Sequence, residues 1–310
     1  MKRSVLCFGE VLWDCLPSGR VLGGAPLNVA YHAAKLGARA AVVSAVGDDD
    51  LGREAAARIA AGGVSTEHLG TNGRLPTGTV EVSLSAGGQP TFTIACPVAW
   101  DEIPLGSAAI EAAAAADAVA FGSLAARSEG NRRALDELLH LPGPRKVFDV
   151  NLRPPFDEAG RALDLARSAD IVKLNDAELV RLSGMPASAT GGPDGLRPAL
   201  GALERLVGPR VLCVTCGAEG AVLWREGELW SATAPRVQVA DTVGAGDAFT
   251  AALTLALLEG GTPRVIQAGL DDACALGALV ASLPGAQPPY DPRALGLRST
   301  AFAHLRGAGR

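Results

Sequence analysis

The stretch DTVGAGDAFTAAL, residues 241–253, sets Gly-Ala-Gly-Asp ahead of a segment built to be helical. Ala248 to Leu258 is rich in Ala and Leu, and Phe249, Leu253 and Leu257 recur at the spacing of one apolar face. Glycine costs about 1 kcal/mol relative to alanine inside a helix, so two glycines at this start need a reason. A helix N-terminus presents unpaired backbone N–H groups and the positive end of the helix dipole. Gly244, Ala245 and Gly246 carry almost no side chain, which lets an anionic group approach those amides. Asp247 then falls in the first turn, where a carboxylate is favoured. An anion pocket beside a carboxylate serves phosphoryl transfer to an alcohol: one neutralises the transferred charge, the other deprotonates the hydroxyl. Alone, the segment also reads as a glycine-rich turn with Asp247 as a helix cap.

Outward from this segment, strands and helices alternate. SVLCFGEVLWD (4–14) is a strand candidate, Pro26 to Leu36 a helix, AAVVSAVG (40–47) a strand and Leu51 to Ala61 a helix. DAVAFGS, RKVFDVN, ADIVKLN and PRVLCVTCG are further short β-rich runs with helical stretches between them. Near-continuous apolar runs suit a mostly parallel sheet covered on both faces, so the expected class is a three-layer α/β/α sandwich. Active sites in such sheets gather at the carboxyl ends of the strands, where Asp14, Gly122, Asn151, Asn175 and Gly217 fall. Residues 77–100, TGTVEVSLSAGGQPTFTIACPVAW, break the rhythm by alternating apolar and polar residues around SAGGQP, as an antiparallel hairpin does. With the turn-rich 14–22 stretch it makes a small sheet outside the main one, expected to act as a flap over the strand ends. GGPDG (191–195) reads as a surface turn, and the whole of 1–310 as a single α/β domain.

Composition narrows the function. The 310 residues are 48% hydrophobic and 20% charged, with a net charge of −5 that offers no field for nucleic acid or an anionic membrane. The apolar N-terminal run is interrupted by Glu10 and ended by Asp14, too early for a secretory signal, and Val265–Leu283 carries Asp271 and Asp272, unlike a membrane span. A cytoplasmic protein is expected, without nucleic-acid or membrane partners. Six cysteines imply no disulfide framework in that setting. Cys213 and Cys216 form a lone CxxC on a strand, where residues three apart face opposite sides, so they read as core residues. A Walker A loop, a protein-kinase HRD/DFG pair, a complete dinucleotide fingerprint, HExxH and GxSxG are all missing.

GGAPLNVAYHAAKLGA (23–38) pairs Gly23 and Gly24 with Asn28 on a helix closed by Gly37. The glycines let a sugar-sized ligand lie against backbone, and Asn28 offers donor and acceptor to hydroxyls. Asp14, past the first strand, has the chemistry to accept from two neighbouring hydroxyls, or to serve as a turn residue. With DTVGAGDAFTAALT at one end and GGAPLNVAYHAAKLG at the other, about 220 residues apart in the order 28 then 247, the chain resembles the ribokinase (PfkB) family of carbohydrate kinases over essentially its whole length. FGEVLWD, FTIACPVAWDEI and FDVNLRPPF are most similar to bacterial fructokinases.

The resemblance implies a ribokinase-like sandwich with a small β-sheet lid that also serves as a homodimer interface. It implies Asp247 as catalytic base and the amides of Gly244, Ala245, Gly246 and Asp247 as anion hole. Asp14, Gly23, Gly24 and Asn28 would hold the sugar. Asn175 and Glu178 in KLNDAE match the NxxE motif that positions Mg²⁺, largely through water, although N-x-x-E is also a helix capping box. Thr215 and Gly217 in VTCGAEG would bind ATP, and Arg153 would reach the γ-phosphate or the sugar. Asp241 and Val243 match positions associated with K⁺, while SLPGAQPP (282–289) departs from the family pattern there. The implied activity is ATP- and Mg²⁺-dependent phosphorylation of a sugar, fructose to fructose 6-phosphate before others. The rival readings are the same fold acting on ribose, 2-keto-3-deoxygluconate or a nucleoside, and a non-catalytic sugar-binding regulator.

Overall fold

A computed structural model describes residues 2–16, 19–84, 90–185 and 193–306. The main sheet has nine strands, formed by β1 (Ser4–Phe8), β4 (Arg39–Gly47), β5 (Leu69–Asn72), β8 (Ala118–Gly122), β9 (Arg145–Asp149), β10 (Ile171–Asn175), β11 (Val211–Thr215), β12 (Ala221–Arg225) and β13 (Glu228–Ala232). Their order is β13-β12-β11-β10-β9-β8-β1-β4-β5, parallel throughout except where β12 and β13 turn back at one edge. A second, four-stranded sheet runs β3 (Gly19–Gly23), β2 (Leu12–Leu16), β6 (Gly78–Leu84), β7 (Pro90–Ile94).

The apolar strand runs are explained by burial on both faces. Val5 and Cys7 enter one core with Ala30 of α1 (Ala25–Lys35), Ile59 of α2 (Asp50–Ala61), Phe249 of α8 (Ala245–Leu257) and Leu270 of α9 (Pro263–Ala281). Leu6 and Phe8, the alternate residues, enter the other core with α3 (Ser107–Ala114), α4 (Glu129–Leu139), α5 (Ala159–Ser168), α6 (Asp176–Ser183) and α7 (Arg197–Val207). Side chains alternate across a strand, so two consecutive buried residues require two helical layers. The expected α/β/α arrangement is what the chain adopts.

Three sequence expectations change. The run 4–14 is two strands in two sheets: β1 ends at Phe8, Gly9 takes φ 148°, and β2 begins at Leu12. A Cβ on Gly9 would come within 2.6 Å of Pro26, so the chain leaves the main sheet where only glycine fits against α1. The 14–22 stretch joins the small sheet as expected, as β2 and β3 on either side of residues 17–18, with Asp14 paired to Val21, and β2 lies parallel to β6 beside the β6–β7 hairpin. Asp14 therefore sits within the second sheet, not at a carboxyl end of the first. Finally, α8 starts at Ala245 rather than Ala248. The SAGGQP turn (residues 85–89 of it), residues 17–18 and Gly191–Gly192 lie outside the described residues. Cys213 is buried in one core and Cys216 packs against the other, as strand alternation requires. Among the described residues, no helix is long and apolar enough to cross a membrane.

Candidate active site

The start of α8 explains its glycines differently from one another. Gly244 is the N-cap with φ 79°, a left-handed conformation that costs most residues about 1–2 kcal/mol. A Cβ there would lie 2.6 Å from Ala286 Cα, so the position is closed by backbone as well as by conformation. At Gly246 a Cβ would lie 3.0 Å from Lys173 Nζ. Glycine thus brings the helix start against a neighbouring loop at one point and against a buried ammonium at the other. The first helical bond runs from Ala248 N to Gly244 O, which leaves the Gly246 and Asp247 amides ahead of the ladder. The Ala245 amide is less free than expected, because it donates to Thr242 O at 3.3 Å.

Asp247 is half-buried, and Asn28 Nδ2 on α1 donates to its Oδ2 at 2.7 Å. Burial and the nearby Asp149 push its carboxyl up to about 6, against the pull of Asn28, Lys173 and Arg153. Two charged residues that the sequence reading passed over as strand interior complete this cluster. Lys173 on β10 bonds both oxygens of Asp149 on β9 at 3.1 Å, and Thr250 on α8 donates to Asp149 Oδ2 at 2.9 Å. Burial disfavours the Lys173 cation, yet Asp149, Asp247 and Glu178 together outweigh it and hold the ammonium above its ordinary value. The signal was present in VFDV and IVKL, where one charge interrupts an otherwise apolar run.

A second group of acids surrounds the start of α1. Glu10, 2% exposed, accepts from Ala25 N at 3.2 Å while its Oε2 has no partner. Burial raises it to about 7, with Asp247 adding and Arg153 opposing. Asp14 is raised to about 6, again chiefly by burial, with Arg153 opposing. One guanidinium, that of Arg153, therefore acts on Glu10, Asp14 and Asp247 together. Gly23 and Gly24 are buried between them: a Cβ on Gly23 would lie 2.8 Å from Asp14 Oδ2, and one on Gly24 would clash with Glu10 O. Glu10 was legible in the sequence only as an interruption of an apolar run.

Asn175 and Glu178 form a complete capping box at the start of α6. Asn175 Oδ1 accepts from Glu178 N and Glu178 Oε2 accepts from Asn175 N, both at 2.8 Å. The other carboxylate oxygen accepts from Leu152 N at 2.8 Å, joining this motif to the segment that bears Arg153. Burial raises Glu178, helped by Asp149 and opposed by Lys173. Thr215 is in register with Asn175 across β10 and β11, and its hydroxyl meets Leu174 O at 3.4 Å. Gly217 opens a short turn at φ 56°, with open space where a Cβ would be. Among the described residues, neither Thr215 nor Gly217 shares a hydrogen bond with Asp247. Asp241 accepts from Val243 N at 3.0 Å and from Gly285 N at 3.1 Å, tying the segment before α8 to residues 285–287.

Comparison with known proteins decides the family. The model of the pfkB family carbohydrate kinases matches residues 8–292. The chain belongs to that family. This carbohydrate kinase is 32% identical over 308 residues to the fructokinase of Salmonella typhimurium, covering 94% of this chain and 97% of that protein. Its fold is similar to that of Xylella fastidiosa fructokinase with bound ATP, at a TM-score of 0.79, 25% identity and coverage of 95% and 98%. It is also similar to Vibrio cholerae O395 fructokinase in its fructose, ADP and calcium ion bound form, with a TM-score of 0.77, 25% identity and 98% of each chain covered.

Proposed function

We propose that this sugar kinase is a fructokinase that transfers the γ-phosphoryl group of ATP to fructose, forming fructose 6-phosphate and ADP. The observation that carries the reading is Asp247 at the start of α8. It is a half-buried carboxyl with its proton affinity raised to about 6, held by Asn28 beside the unpaired amides of a helix N-terminus. A base tuned near the operating pH is partly ionised yet still accepts a proton readily. Asp247 takes the proton of the sugar hydroxyl as its oxygen bonds to phosphorus and the bond from phosphorus to the ADP oxygen breaks. The Gly244–Asp247 backbone neutralises the moving charge, chiefly through the Gly246 and Asp247 amides.

Asn28, Asp14 and the backbone at Gly23 and Gly24 hold the sugar, and Arg153 faces the transferred phosphate. Thr215 and Gly217 take the nucleotide, in keeping with the ATP and ADP bound by the Xylella and Vibrio fructokinases. The Asn175 and Glu178 oxygens each already accept one backbone N–H, leaving a lone pair for water rather than a direct cage. That donor set fits hydrated Mg²⁺, which when bound would neutralise the nucleotide phosphates. Asp241 and Val243 form the side of a K⁺ site nearest α8. The four-stranded sheet closes over the sugar as a lid within one kinase domain, excluding water as a rival acceptor, and pairs with a second copy through its outer face.

Steady-state assay of ADP release on a panel of fructose, ribose, 2-keto-3-deoxygluconate and nucleosides, with ATP and magnesium, tests the reading. Fructose is expected to give the highest kcat/KM. Asp247→Ala is expected to lower kcat by about 10²–10⁴-fold while calorimetric fructose binding persists. Comparable turnover in the variant removes the base, and a better acceptor than fructose replaces the substrate.

A further inference from the structure

Asn28 uses both ends of its side-chain amide. Nδ2 donates to Asp247 Oδ2 at 2.7 Å, and Oδ1 accepts from Gln287 Nε2 at 2.9 Å. An amide presents its donor to a carboxylate in only one of its two orientations, and the reverse sets oxygen against oxygen. Gln287, as a donor to Oδ1, stabilises the orientation that aims N–H at Asp247.

The backbone on either side of Gln287 is held from several directions. Gly285 N donates to Asp241, and the Tyr31 hydroxyl donates to Pro288 O at 3.0 Å. Burial holds His32 down to about 4, so its ring is neutral near neutral pH. Its Nε2 donates to Ala286 O at 3.0 Å and its Nδ1 accepts from the Tyr290 hydroxyl at 2.9 Å. Ala286 also fills the space where a Cβ on Gly244 would lie at the start of α8. A polar side chain mounted on backbone fixed from α1 and α8 is preorganised to orient its neighbour.

We infer that Gln287 is a positioning residue for the phosphoryl transfer proposed above: it fixes the Asn28 amide with its N–H toward Asp247 and so favours the ionised base. The inference rests on Asp247 being that base. The groups acting on Asp247 are Asp149 on β9, Arg153 past β9, Lys173 on β10 and Asn28 on α1, and its own charge acts in turn on Glu10 past β1. Asp149 favours its protonated form, and Lys173, Arg153 and Asn28 its ionised form. Gln287 reaches this balance through Asn28, to which it is bonded.

The test is the acid limb of the kcat–pH profile in Gln287→Glu and Gln287→Leu. Glutamate only accepts, so Asn28 turns its N–H toward residue 287 and its oxygen toward Asp247. The limb is expected to move up by about one pH unit, so kcat falls roughly tenfold at pH 5 and about twofold at pH 7. Leucine removes the donor without adding charge, and a smaller upward shift of about half a unit is expected. A change in Tm with the limb unmoved in both variants overturns the inference; if the glutamate variant fails to fold, the leucine variant decides. The Asp247 carboxyl is also titrated by ¹³C NMR in ligand-free protein, with Asp247→Asn identifying its resonance. An unshifted titration in the variants overturns the role of Gln287. A wild type inactive on every acceptor overturns the fructokinase reading instead, and leaves the titration standing as the test.

Discussion

Lys173 is the residue that most changes how the start of α8 works. Its ammonium lies where a side chain on Gly246 would begin and is held there by Asp149. An anion approaching the Gly246 amide therefore meets a full buried charge behind the helix dipole, and in a poorly hydrated site that charge acts strongly. Two effects need separating, because removing one partner of a buried ion pair costs about 3–5 kcal/mol by stranding the other. Lys173→Met is expected to lower Tm sharply and kcat by about 10²-fold or more. Lys173→Met with Asp149→Asn is expected to recover much of the Tm but not the kcat. Recovery of both in the double variant, read by calorimetry and steady-state assay, assigns the pair to stability alone.

At the scale of one element, the start of α8 is defined by a left-handed N-cap packed on another loop. Gly244→Ala is expected to cost about 1–2 kcal/mol in conformation alone, plus the displacement of Ala286, and to lower kcat through the segment that carries Gln287. Gly246→Ala meets only the Lys173 ammonium, at 3.0 Å, which must give by a few tenths of an ångström, so it is expected to cost less Tm than Gly244→Ala while lowering kcat. Equal Tm losses in the two variants contradict this division. The helix itself was legible from its Ala and Leu content and the i, i+4 spacing of Phe249, Leu253 and Leu257. Its first turn was not, because Gly244 is set by contact with Ala286, some 40 positions away in sequence. The same holds for 4–14, an unbroken apolar run divided between two sheets by the packing of Gly9 on Pro26. Asn28, Asp14 and Asp247 could be proposed from their motifs. Lys173, Asp149, Glu10 and Gln287 could not, since each joins the cluster through a partner that only the folded chain brings near.

Across the whole molecule, the fold collects acids on one rim, and this has a cost. Glu10, Asp14 and Asp247 come from the turn after β1, from β2 and from α8, and all three hold their protons more tightly than free carboxyls do. For Asp247 the sign follows from its ordinary value of 3.8 and its folded value of about 6. Between these the folded state keeps a proton that the unfolded chain has released, so its contribution to stability falls as pH rises through the window and stays low above it. A shift of about two units corresponds to roughly 2 kcal/mol once partial exposure is allowed for. Asp247→Asn keeps the shape and the Asn28 contact but cannot ionise. Its stability is expected to match wild type near pH 4, exceed it progressively from pH 4 to 6, and remain about 2 kcal/mol higher at pH 8. Urea melts of both proteins at these pH values measure the difference directly. A gap that is constant with pH, or one that favours the wild type at pH 8, means Asp247 ionises in the folded chain as easily as in water. The stability sacrificed at this rim would then have nothing to do with tuning a base.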